Sequence, residues 1–133
     1  MDKNTFLVKF IKFNGWVELF LAVMFFFMGY ITEFLGLDKG IPLFYQFAAV
    51  ELLILGFLLL YSARDIKRYL IIILSSCVFR YIMPAGPELY AILTLWPNPF
   101  AIIMIPTFFY DIGTATITLV LLKQLGYLKK ENF

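Results

Sequence analysis

Apolar residues fill this chain in long blocks, and polar ones gather in the gaps between them. The blocks run over residues 15–37, 42–61, 69–83 and 100–122. A helix needs about 20 mostly apolar residues to cross the hydrocarbon core of a bilayer. The blocks are continuously apolar and lack the in-out alternation of barrel strands. In lipid, each backbone polar group must find its partner inside its own segment, so the blocks are predicted to be helices. Pro42 stands at the start of the second block, where a helix accepts proline. The third block is the shortest and stops at Pro84. Pro106 falls in the early turns of the fourth, where it costs least or bends the helix. The gaps are short, so sequence neighbours run antiparallel. The pattern predicts an all-α, integral membrane, up-down four-helix bundle, with a single transmembrane domain over residues 1–133.

Composition strengthens this reading. Of the 133 residues, 62% are hydrophobic, 20% aromatic and only 15% charged. A soluble domain is nearer half apolar and a quarter charged. Sixteen Phe cannot all hide in one small core, so part of the surroundings must be lipid. The first block is long and no small-residue cleavage site follows it, which predicts a permanent span rather than a signal peptide.

Charge sets direction. Lys3, Lys9 and Lys12 precede or open the first span; Arg64, Lys67 and Arg68 lie in "SARDIKR" between the second and third; Lys123, Lys129 and Lys130 close the chain. The first gap holds only Lys39, and the third holds no Lys or Arg. Nine of the eleven basic residues thus fall on one side, which the positive-inside rule makes cytoplasmic. Both termini are predicted there, in a plasma (inner) membrane. A net charge of +2 is too small to suggest a nucleic-acid partner, and the lipid bilayer is the simpler one. With one cysteine and no histidine, an intrachain disulfide, a CxxC pair and a His- or Cys-rich metal site are excluded. So are a His general base and a Ser-His-Asp triad. No cofactor is predicted. Cys77 reads as a packing residue, because apolar surroundings make a thiol unreactive. "FFF" at 25–27 reads as lipid-facing or packing surface.

The third gap, "PAGPELYAILTLWPNP", carries Pro84, Pro87, Pro97 and Pro99. Three readings fit it: a helix lying at the outer interface with Tyr90 and Trp96 at headgroup level, a capped loop packed on the bundle, or a lid over an outward-facing cavity.

Five ionisable residues lie inside the predicted spans: Glu18, Glu33, Glu51, Arg80 and Asp111. Glu18 and Glu33 sit about a turn from the ends of the first span, within reach of headgroups or water. Glu51 and Asp111 fall near the middle of theirs, where a charge costs about 2.5–3.5 kcal/mol on insertion scales. Arg80 lies three residues before the predicted end of the third span. The economical arrangement places its guanidinium between Glu51 and Asp111 in the interior, since Arg offers five donors in a planar fork. Thr107, Asp111, Thr114 and Thr118 recur at spacings of 4, 3 and 4, one stripe of a helix. Ser76 stands four residues before Arg80. The first span offers Gly15, Glu18, Ala22 and Gly29 on one side, small enough in part for close approach. The ligand- or proton-binding candidates are therefore Glu51, Arg80, Asp111, Thr114, Thr107, Ser76 and Glu18. A stripe that lines a pocket and one that glues helices look alike in sequence.

At the second and third spans, "VELLILGFLLLYSARDIKRYLIIIL" resembles the DoxX-like superfamily of small four-helix membrane proteins. The matching residues are Glu51, Gly56, Arg64 and the run from Leu70, with "VFRY" at Arg80 and "FYDIG" at Asp111 similar to less-studied relatives. The chain departs from the family's "HG"-like feature in the first span. The resemblance implies a four-helix membrane protein, some of whose relatives serve oxidoreductase assemblies linked to quinone or sulfur redox. Function is accordingly expected to be that of a non-catalytic subunit or accessory, working with another membrane protein or a second copy. The alternative is a small proton-coupled carrier or binding protein for a small molecule, quinone or lipid. A membrane enzyme acting on lipid or quinone is the third reading, and the absence of His, a Cys pair or a metal motif weighs against it.

Overall fold

The computed structural model describes residues 2–36, 42–97 and 99–129, and every described element is helical. Helix α1 spans Lys3–Phe26, α2 Met28–Phe34, α3 Pro42–Ser62, α4 Leu70–Met83, α5 Leu89–Thr94 and α6 Pro99–Gln124; a π-helical turn, Pro84–Glu88, joins α4 to α5. The gap at 37–41 with Lys39, and Lys130, lie outside the described residues. Three runs are long and apolar enough to cross a membrane: Tyr45–Ser62, Leu70–Thr94 and Ala101–Gln124. The pair α1 and α2 supplies a fourth if its 56° bend is a break within one span. Most residues of each run are not buried within the protein. Trp16, Phe20, Phe57, Val78 and Phe109 are all exposed, a distribution that suits lipid and not water.

Two elements differ from the pattern-based expectation. The first helix starts at Lys3, far ahead of residue 15. No Gly or Pro stands between Lys3 and Gly15, so nothing stops the helix from running into the polar segment. Hydropathy marks where lipid begins, not where a helix does. The same helix bends at Phe27, which adopts φ −94° and ψ 3° between α1 and α2.

The third span also continues past Pro84. Proline at 84 and 87 has no N–H to donate, and each ring crowds the carbonyl four residues back. A wider π turn absorbs both and lets the helix resume. Leu70–Thr94 thereby forms one run of 25 residues. The "PAGPELYAILT" stretch is not a loop; it is helical and extends the third apolar run to Thr94. Tyr90 and Trp96 are exposed, and the Trp96–Pro97 peptide is cis.

The chain forms two compact units, Val8–Arg64 and Met1–Leu7 with Asp65–Phe133. Within the first unit, α1 and α3 meet at glycines. A Cβ built on Gly15 would lie 3.0 Å from the Gly56 carbonyl oxygen and 2.8 Å from Leu60 Cγ; one on Gly56 would lie 2.9 Å from the Gly15 carbonyl oxygen. Only hydrogen fits there, the small-residue contact by which helices associate in lipid. Ala22 and Ala49 are buried as well.

In the second unit α4, the π turn, α5 and α6 pack on one another. The buried residues of the third span, Leu70, Ile73, Cys77, Arg80, Pro84, Glu88 and Ala91, recur every three or four positions. Those of α6 include Ala101, Met104, Thr114, Ala115, Thr118 and Leu122. The start of α1 and the segment after α6 belong to this unit too. Lys3 Nζ donates to Gln124 Oε1 (3.1 Å), and the Tyr127 hydroxyl donates to Asn4 Oδ1 (2.9 Å). Asp65 opens the turn before α4, its side chain accepting from the Arg68 N–H at 3.1 Å.

Candidate functional site, a buried polar centre

Arg80 and Glu88 lie on the buried line of the third span, and Thr107, Asp111 and Thr114 lie on the stripe of α6. The packing of these two lines brings their polar groups together. Arg80 is only 3% exposed. Its Nη1 donates to Thr114 Oγ1 and stands 3.7 Å from Asp111 Oδ1. Its guanidinium carbon lies 5.1 Å from the centre of the Tyr110 ring, a cation–π distance. The Thr114 hydroxyl donates to the Tyr110 carbonyl at 2.7 Å and keeps its oxygen free to accept from Arg80. The donor accounting thus closes at Thr114: one proton given, one received.

The length of the third span changes the depth of this group. Arg80 is ten residues from Leu70 and fourteen from Thr94, near the middle of the run and not close to its end. Asp111 lies twelve residues from Pro99 and thirteen from Gln124. A guanidinium and a carboxylate therefore face each other close to mid-span, where charge is costly unless compensated.

Glu88 is the residue that sequence reasoning missed. It is 4% exposed at the end of the π turn. Thr107 hydrogen-bonds its carboxyl, and Asp111 is near enough to act on it electrostatically. Its Oε2 is buried with no hydrogen-bond partner among the described residues. One signal was available: Glu88 is the sole ionisable acid in a stretch without Lys or Arg, flanked by prolines. Reading those prolines as the end of the helix concealed it.

The other candidates differ in burial. Glu51 was expected to face the interior beside Arg80; it is instead exposed, on α3 among exposed Phe47, Val50 and Ile54. A helix apolar on every side carries no sequence signal for which face turns inward, so its mid-span position said nothing about direction. Glu18 was expected to reach headgroups or water and is buried, while Glu33 is exposed as expected. Ser76 is buried, its hydroxyl donating to the Ile73 carbonyl of its own helix at 2.7 Å. Cys77 beside it is buried, in keeping with a packing role.

No family model, curated protein or solved structure matches the chain at a significant level. The chemistry of the centre therefore has to speak through its own groups. One guanidinium, one ion-paired carboxylate and one further acid meet hydroxyl and aromatic side chains in an apolar surround. Such a group can orient a polar molecule or hold a proton. Among the described residues no three His, Cys, Asp or Glu stand close enough to hold a metal ion.

Proposed function

We propose that this chain is a small integral membrane protein of four spans, related to the DoxX-like group, that binds a small polar molecule at its Arg80–Asp111–Glu88 centre as a carrier or binding protein. The carrying observation is the buried carboxyl oxygen of Glu88, which lacks a hydrogen-bond partner in a site that already holds an ion pair. Helices held together only for stability gain nothing from an unsatisfied acid at depth, and ionisable groups inside spans mark functional sites by default. Four spans require α1 and α2 to act as one bent crossing, and an even number of crossings returns both termini to one side. The side-chain bonds between the start of α1 and the end of α6 support that arrangement. The bias of basic residues supports a cytoplasmic location for that side.

Thermal unfolding in mild detergent tests the reading against a panel of small organic ions, quinones and lipids. A ligand of this centre raises the Tm of the wild type and fails to raise that of Asp111→Asn. A compound that stabilises both equally binds elsewhere.

The accessory-subunit reading has an observation of its own. Glu51 lies nine residues after Pro42 and eleven before Ser62, and it is exposed on an apolar helix. A carboxylate at that depth is relieved when another protein covers it. Purification from native membranes in mild detergent distinguishes the two: a stoichiometric companion that is lost in Glu51→Leu favours the subunit, and a lone wild-type protein favours the carrier.

A further inference from the structure

We infer that the exposed face of α3 around Glu51 is a self-association surface, on which a second copy of this chain docks so that the two Glu51 carboxyls meet across a two-fold axis. The inference rests on the reading of α3 as a membrane span and on the subunit reading of Glu51, for which it names the occupant. The Arg80 centre plays no part in it.

Three observations lead to it. The first is the place of the acid. Glu51 is exposed nine residues into α3, and no hydrogen bond or ion pair reaches it among the described residues. Ionisable groups inside spans pair with one another or face protein or water, because hydrocarbon offers them no partner. The second is the surface around it. Phe47, Glu51, Ile54, Leu58 and Tyr61 recur at spacings of 4, 3, 4 and 3, and all five are exposed. An average step of 3.5 residues keeps side chains on one seam between two helices that coil round each other. Spanning helices commonly pair in that left-handed geometry. The seam also lies away from the crossing with α1: at about 100° per residue, Glu51 stands about 140° round the helix from Gly56. The third is complementarity. Two copies of one chain cross the membrane in the same direction, so their two-fold axis lies along the membrane normal and each residue of the seam meets its own counterpart at equal depth. Glu51 therefore faces Glu51. A carboxyl that holds its proton both donates and accepts, so two of them satisfy each other without a third component.

The other acidic and basic side chains of the three long apolar runs are placed differently. Arg80 and Glu88 are buried, Asp111 stands 3.7 Å from the Arg80 guanidinium, and Lys123 lies in the last turn of α6. Glu51 is the sole acidic or basic residue of α3 and the one that a neighbouring molecule can reach at mid-span.

Cross-linking and dilution test this. In a Cys77→Ala background, Ile54→Cys and Leu58→Cys, introduced singly, are expected to give a disulfide-linked dimer on mild oxidation of native membranes. Leu53→Cys, exposed on another side of α3, is expected to stay monomeric. A disulfide needs Cα atoms within about 7 Å, so the pattern reads which side of the helix faces its copy. Equal linkage at all three positions, or linkage at none, overturns the proposal. An adduct with a different protein overturns the second copy and keeps the subunit reading. These cross-links are read with Glu51 in place, so they do not depend on how its variants fold. Energy transfer between copies labelled at Lys129→Cys, in vesicles diluted with lipid, then gives the association constant. Glu51→Leu is expected to lower it about tenfold, and Glu51→Gln to hold it within about threefold, because an amide also donates and accepts. An unchanged constant in Glu51→Leu overturns the role of the acid, and a loss in Glu51→Gln as large as in Glu51→Leu overturns the reciprocal bond. Failure of the ligand panel leaves every one of these outcomes readable.

Discussion

At the scale of single residues, the hydroxyl of Thr114 is worth more than its size suggests. It is the acceptor for a buried guanidinium and passes its own proton to the backbone of its helix. Thr114→Val keeps the volume and removes the acceptor, leaving a charged N–H unpaired in an apolar surround. The expected cost is about 1.5–3 kcal/mol, read as a lower Tm in detergent, with Thr116→Val as a milder control because Thr116 is exposed. Asp111→Leu removes a carboxylate 3.7 Å from the buried Arg80 guanidinium and is expected to cost up to about 3 kcal/mol. The spacing of 107, 111, 114 and 118 made one inward face of α6 legible, and the Arg80–Asp111 pair followed from the need to compensate charge at depth. Which acid completes the group did not follow. Glu51 has the obvious mid-span position in sequence yet is exposed, while Glu88 stands behind Pro84 and Pro87, which read as the end of the helix. The choice is made by helix rotation, which a helix of nearly uniform hydrophobicity does not encode in its pattern.

At the scale of helices, the two glycines at the crossing of α1 and α3 act as a matched pair. Gly15→Val or Gly56→Val forces a branched side chain onto the opposite backbone, and about 1–3 kcal/mol of stability is expected to be lost. Gly113 of α6 has nothing within 4 Å of a built Cβ. Gly113→Ala is therefore expected to be neutral or stabilising by up to about 1 kcal/mol, because alanine is the better helix former. Thermal unfolding of the three variants side by side checks the contrast; equal losses would mean that the crossing is not tight. Gly15 as a close-approach residue was readable from its small neighbours, but its partner on α3 was not, since pairing depends on how deeply two helices slide together. The π turn was illegible for a related reason. Proline signals a stop in most helices, and only the packing of α5 against α6 shows the chain resuming beyond it.

At the scale of the whole molecule, the direction of the chain in the membrane is the property most open to a simple test. In a Cys77→Ala background, Lys3→Cys and Lys129→Cys are each expected to resist a membrane-impermeant thiol reagent in intact cells and to react once the cells are permeabilised. Labelling of either one from outside reverses the assignment at that end. The wild-type Cys77, buried in α4, is expected to stay unlabelled until the protein is denatured. The side-chain clasp that ties Lys3 to Gln124 and Asn4 to Tyr127 has a consequence of its own. Because the start of α1 and the segment after α6 lie together, a short linker can join them and new ends can be opened in the turn before Asp65. In such a circular permutant the N-terminal strap Met1–Leu7 follows Asp65–Phe133 directly, and each of the two compact units becomes one uninterrupted stretch of polypeptide.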